Sequence, residues 1–252
     1  MSRFIVITSG KGGVGKTTTS INLAAAINSF DEDVTLVDIN LTTPNVGLHL
    51  GAPVVPVTLN HVLTGKADLV DAIYEHSCGA KVIPASLSIK ELKRLGETNL
   101  PSVLTDLRKL SDIVIFDSAA GLGAEAVSAI AVADEVIVVT NPEIPAVTDA
   151  LKTVKIAQEM GKDVLGVIVT RAQGNKYEMA MKSIQEMLEI PILGVVPEDD
   201  CVQESLSLRN AVFLTHPRSP AAQSYKKIAA RIIGVEIEPE HHGFFARLFG
   251  RR

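Results

Sequence analysis

The sequence predicts an α/β domain, a doubly wound and mostly parallel sheet flanked by helices, followed by a C-terminal amphipathic tail. Three observations predict it. Short apolar runs alternate with helical patterns along residues 1–234. Several runs, such as 112–117 and 135–140, are apolar throughout instead of alternating, as strands are when helices cover both sheet faces. The first run leads through a glycine-rich turn straight into a helix, the start of a right-handed crossover. The size fits as well, since 252 residues, 46% of them hydrophobic, suit one large domain on a single sheet.

The first strand is the apolar run 4–8, and a helical pattern follows over 18–29. Residues 34–38 form a second strand ending in Asp38, and 39–51, rich in Asn, Thr, Pro and Gly, read as a loop. Segments 58–63 and 67–74 read as short helices around a turn at Gly65. A third strand covers 81–84, and a helix covers 99–110 with Pro101 near its start. The strand 112–117 ends in Asp117, and a helix runs through 127–133 before the strand 135–140. Next come a helix over 146–160 stopped by Gly161, a strand over 163–170 and a helix over 176–188. A strand over 192–196 ends at Pro197, and helices over 199–208 and 219–233 close the domain. Residues 235–242 read as a polar, acidic linker and 243–252 as the tail. On such a sheet ligands sit beyond the carboxyl ends of strands, where the first turn, Asp38 and Asp117 all fall.

That first turn is Gly10, Lys11, Gly12, Gly13, Val14, Gly15, Lys16, Thr17 and Thr18, and it fits the phosphate-loop pattern G-x-x-x-x-G-K-[ST] between a strand and a helix. Glycines let successive N–H groups curl toward one anion, and the helix start adds its positive dipole end. Lys16 can reach the β- and γ-phosphates, and the Thr17 hydroxyl can ligate Mg²⁺. Asp117, with Asp38 on another strand end, completes the candidate Mg²⁺ set, and the N–H of Gly121 can sense the γ-phosphate. Lys11, inside the anion cradle, is one lysine more than an ordinary phosphate loop needs.

The run Lys11 to Thr18 matches the deviant Walker A signature. With Asp117 to Gly121, Thr140-Asn141-Pro142-Glu143, Val196-Pro197-Glu198-Asp199 and the Phe/Leu/Arg-rich ending, the chain resembles the ParA/MinD family of ATPases over nearly its whole length. The resemblance implies Mg²⁺-dependent ATP hydrolysis, and a face-to-face homodimer on ATP in which Lys11 crosses to the partner's nucleotide. It also implies reversible membrane attachment and protein regulators that read the dimer or stimulate hydrolysis, in the service of placing the division site or another polar structure. Asp149 matches a carboxylate that can pair with the signature lysine before dimerisation, and Arg171, Pro197 and Glu198 match segments that embrace adenine. ATP is expected over GTP, because no N-K-x-D run ends a strand. Two positions depart from the family pattern. Ala119 stands where proline is usual, and Asp38-Ile39-Asn40 stands for D-x-D. Asn40 can hydrogen-bond the attacking water but cannot take its proton, so slow hydrolysis is expected, and a catalytically weak, nucleotide-dependent scaffold placing polar motility or sensory arrays stays open as the alternative.

In the tail, written as a helix, Phe244, Phe245, Leu248 and Phe249 share one arc flanked by Arg247 and Arg251, a pattern suited to an anionic membrane surface. One short tail binds marginally, whereas two on a dimer gain about 10²–10⁴ in avidity. Other classes fit less well. The net charge of −5, with no Trp and three Tyr, argues against nucleic acid and so against a DNA-partition ATPase of the ParA type. An iron–sulfur scaffold ATPase would carry C-x-x-C, but Cys78 and Cys201 are far apart and suit a reduced, cytosolic chain. No histidine shows metal-ligand spacing, and the longest apolar stretch, 124–140, is cut by Glu125, Asp134 and Glu135. With a strand at the very start, no secretory leader is expected. The expected location is the cytoplasm and, peripherally, the inner face of the cell membrane.

Overall fold

The computed structural model describes residues 2–92 and 100–236. Strands β1 (Arg3–Ser9), β2 (Val34–Asp38), β3 (Tyr74–Glu75), β4 (Lys81–Ile83), β5 (Ile113–Ala120), β6 (Glu135–Thr140), β7 (Asp163–Ala172) and β8 (Ile192–Pro197) form one sheet. Their order is β3-β4-β2-β5-β1-β6-β7-β8, parallel except for β3 at the edge. The order runs outward from β1 in both directions, the doubly wound topology expected of uniformly apolar strands.

Side chains on β1 alternate between two cores. Ile5 and Ile7 face one with α1 (Lys16–Asn28), and Phe4 and Val6 face the other. Helix α1 is buried nearly all round, between the sheet and α11 (Pro220–Ile233), which is why its middle is Leu-Ala-Ala-Ala-Ile without a polar stripe. The second core gathers α6 (Ala124–Val132), α7 (Ile144–Glu159) and α8 (Met181–Leu188) against the opposite face. Shorter helices lie in the connections. They are α2 (Val46–His49), α3 (Leu59–Leu63), α4 (Ile89–Leu92), α5 (Leu100–Leu107), α9 (Asp200–Ser207) and α10 (Val212–Thr215).

Four expectations are corrected. The helix expected over 67–74 is a 3₁₀ turn, Leu69–Ala72, and then the edge strand β3, because the Tyr74 hydroxyl clamps both backbone groups of Val57. The helix expected from 176 begins at Met181, since the Glu178 carboxylate is spent on the N–H groups of Gln173 and Gly174. The loop 39–51 contains α2, whose start is held by Asp38. Strand β5 continues past the expected end at Asp117 to Ala120, so Ser118 and Ala119 are strand residues. The expected tail and most of the expected linker, residues 237–252, lie outside the described residues. No helix among the described residues is long and apolar enough to cross a membrane.

Candidate nucleotide site

The turn between β1 and α1 is shaped by its glycines. Gly13 and Gly15 sit at φ of 80° and 88°, a left-handed conformation that side chains disfavour. At Gly10 an added Cβ would lie 2.3 Å from the backbone carbonyl of Asp149, so only glycine lets the loop pack directly on α7. Behind the loop, the Thr170 hydroxyl on β7 donates to the Val14 carbonyl at 2.5 Å, and Asn141 donates its amide to Thr170. The loop is thus held from two elements, α7 and β7.

Among the described residues, the backbone N–H groups of Gly12 to Thr18 donate to no protein acceptor, and no side chain caps the start of α1. A row of free N–H groups at the positive end of a 13-residue helix is an anion cradle. Lys16 lies beneath it, 7% exposed, with its ammonium contacting the Ser118 carbonyl and lying 3.4 Å from Asp117 Oδ1. Asp117 Oδ2 accepts from the Thr17 hydroxyl at 2.7 Å, and Oδ1 from the Ser20 hydroxyl at 2.9 Å. A hydroxyl and a carboxylate in contact beside an anion cradle are hard oxygen donors of the kind Mg²⁺ takes alongside phosphate. Among the described residues there is no cluster of three or more His, Cys, Asp or Glu side chains fit to hold a metal alone.

Asp38 stands beside Asp117 in register on the neighbouring strand and is fully buried. Its partners are different. Oδ1 accepts from the Asn40 N–H, and Oδ2 from the N–H groups of Asn45 and Val46. Burial and then the Asp117 charge push its pKa up to about 8, against the opposing pull of those three N–H groups. Asn40 is buried, and its amide is turned onto its own loop, donating to the Thr43 carbonyl and accepting from the Thr43 N–H and hydroxyl.

On the other side of the loop, Arg171, Pro197 and Glu198 line a cleft with Gly15 and Thr18, floored by Tyr225. Arg171 adopts φ of 55°, and its Nε lies 4.0 Å from Glu198. The structure therefore brings these three residues to the side of the phosphate loop. Two expected contacts are corrected. Asp149 pairs with Lys152 one helical turn on, while Lys11, half-exposed, lies 3.8 Å from Glu143. The N–H of Gly121 donates to the Ser9 carbonyl at 2.8 Å, because β5 zips onto β1 that far. The tail residues Phe244, Phe245, Arg247, Leu248, Phe249 and Arg251 lie outside the described residues.

Residues 5–211 match the family described as the CobQ/CobB/MinD/ParA nucleotide binding domain. The chain belongs to this family. Members of the MinD/ParA family are nucleotide-binding ATPases. The chain is 42% identical over 260 residues to an uncharacterised ATP-binding protein of Methanocaldococcus jannaschii, covering 100% of this chain and 98% of that one. It is 30% identical to the antiactivator FleN of Pseudomonas aeruginosa, over 90% of this chain and 85% of the relative. Among solved structures it resembles the septum site-determining protein MinD of Pyrococcus horikoshii complexed with Mg-ADP. That match has a TM-score of 0.88 and 34% identity, covering 94% of this chain and 100% of the other.

Several residues around the phosphate loop have no motif to announce them. Ser20 sits one helical turn after Lys16 and anchors Asp117; its only sequence signal is its place on the face of α1 that meets β5. Thr170 braces the loop from a strand more than a hundred residues away, and Tyr225 closes the cleft from the last helix. Such contacts become visible only once the strands are ordered.

Proposed function

We propose that this chain is a membrane-associated ATPase switch of the MinD type, binding ATP and ADP with Mg²⁺ and dimerising on ATP. The observation that carries the reading is the cradle of free N–H groups over Lys16, with the Thr17–Asp117 contact beside it. Backbone N–H groups and Lys16 hold the phosphates, Thr17 and Asp117 hold the metal, and Arg171, Pro197 and Glu198 bind the base. Mg²⁺, when bound, neutralises phosphate charge. Lys11 rises from the loop with about half its side chain exposed and only a loose partner in Glu143, which supports a role across a subunit interface. The basic, aromatic ending then gives the dimer two weak lipid contacts that act together. Hydrolysis resets the switch, slowly, because Asn40 offers no carboxylate. Such a switch suits positioning of the division site, as for the similar septum site-determining protein, with regulators docking on the ATP-bound dimer.

A second reading is favoured by the similarity to an antiactivator and by Asn40. In it, the ATP-bound form chiefly sequesters or places another protein, and turnover matters little.

Light scattering combined with vesicle sedimentation tests the proposal. With ATP and Mg²⁺ the mass is expected to double, and the protein to sediment with vesicles containing anionic lipid. With ADP, or without residues 243–252, sedimentation is expected to fall to background. An unchanged mass in every nucleotide rejects the switch.

A further inference from the structure

The loop between Asp38 and α2 has an unusual hydrogen-bond economy. None of its N–H groups at Asn40, Leu41, Thr42, Thr43, Asn45 and Val46 goes to a backbone carbonyl (Pro44 has none). All six go to three side chains. Asp38 takes three and Asn40 takes one, but both belong to this same stretch of chain. Glu125 takes the N–H groups of Leu41 and Thr42 and also, at 2.8 Å, the Thr42 hydroxyl. It comes from the first turn of α6, just after the Asp117–Gly121 segment. Among the described residues it is the one side chain from elsewhere that accepts from these N–H groups.

A second observation concerns the space beneath. Ile39 and Leu41 border a cavity of about 280 Å³, walled by Leu63, Leu107, Phe116 and Ala129 and reaching Glu125. Apolar side chains beside a void can shift without displacing packed atoms, so packing alone does not fix this loop. A hydrogen-bonded tether has to.

We propose that Glu125 is a positioning residue, the tether that sets the 40–45 loop against α6 so that the two strand-end segments, one from Asp38 and one from Asp117, hold a fixed relation during turnover. The inference rests on the nucleotide-site reading above for its effect on hydrolysis, but not for the tether itself. A carboxylate suits the task because it accepts from three donors at once. Its bonds are charge-assisted and made to backbone groups, so losing them frees the loop without emptying the core.

The test compares the wild type with Glu125→Ala, Thr42→Val and the double variant, all as the full chain. Without nucleotide, amide exchange at Leu41 and Thr42 is expected to rise about tenfold or more in Glu125→Ala, while amides of β1 and β5 keep their protection. The ADP affinity is expected to stay within about twofold, and single-turnover ATP hydrolysis to slow by about fivefold or more. Adding Thr42→Val to Glu125→Ala should change the rate little further, since the hydroxyl has then already lost its acceptor. Unchanged exchange at Leu41 and Thr42 overturns the tether. Hydrolysis and ADP affinity falling together, with β5 protection lost, overturns the positioning role in favour of a merely structural one. If the wild type hydrolyses no ATP, the function proposed above fails, while the exchange comparison still decides the tether.

Discussion

Asp38 and Asp117 end adjacent parallel strands, lie in register and are both fully buried, yet they are used in opposite ways. Asp117 is surrounded by side chains of the phosphate-loop helix, with two hydroxyls and the Lys16 ammonium converging on it. Asp38 is surrounded by backbone, and what it holds is the shape of the loop that follows it. Position on a sheet decides that a carboxylate is near a ligand; the neighbours' identity decides what it does there. At Asp38, burial and the neighbouring Asp117 charge favour the protonated form, against the pull of its three N–H partners.

The contrast breaks most sharply at Asp117. Asp117→Asn keeps the shape but removes the charge that Lys16 and Thr17 share. Hydrolysis is expected to fall by about 10²-fold or more, the scale seen when a preorganised electrostatic group is lost, and steady-state phosphate release reads it. A smaller effect is expected from Asn40→Asp, which places a carboxylate in the loop that Asp38 shapes. It should speed single-turnover hydrolysis several-fold, by about 2–10 times, if the missing base is what slows the chain. An unchanged rate removes Asn40 from the chemistry and leaves it as the Thr43 partner. Asp38→Asn is the mildest in activity and the most telling in pH. The folded pKa of Asp38 lies above its ordinary value, so the folded chain holds a proton that the unfolded chain releases between about pH 4 and pH 8. Wild-type stability should therefore fall as pH rises through that window, by at most about 1.4 kcal/mol per pH unit from this group. Urea midpoints for Asp38→Asn should show a flatter profile there.

Much of this fold could be read along the chain because buried parallel strands carry their own signature. Uniformly apolar runs such as Ile113 to Phe116 can be little else between helical patterns. The phosphate loop was equally plain, since its glycines and Lys16 are consecutive. What could not be read are contacts whose two ends lie far apart. Glu125 meets Leu41 across 84 positions and Thr170 meets Val14 across 156, and nothing local to either end marks them. Asp149 was misjudged for a related reason. Its chain neighbour Lys152, three residues on, takes the carboxylate, while the helix backbone beneath is what touches the loop. The missed strand β3 has only two residues, too few to show a period, and a tyrosine hydroxyl outside any pattern holds it.

That contact at Gly10 carries a mechanical consequence. Where main chain rests on main chain with no side chains between, there is no compliant layer to absorb a displacement. Helix α7 and the phosphate loop are therefore placed by each other, and any side chain added at Gly10 would push them apart at Asp149.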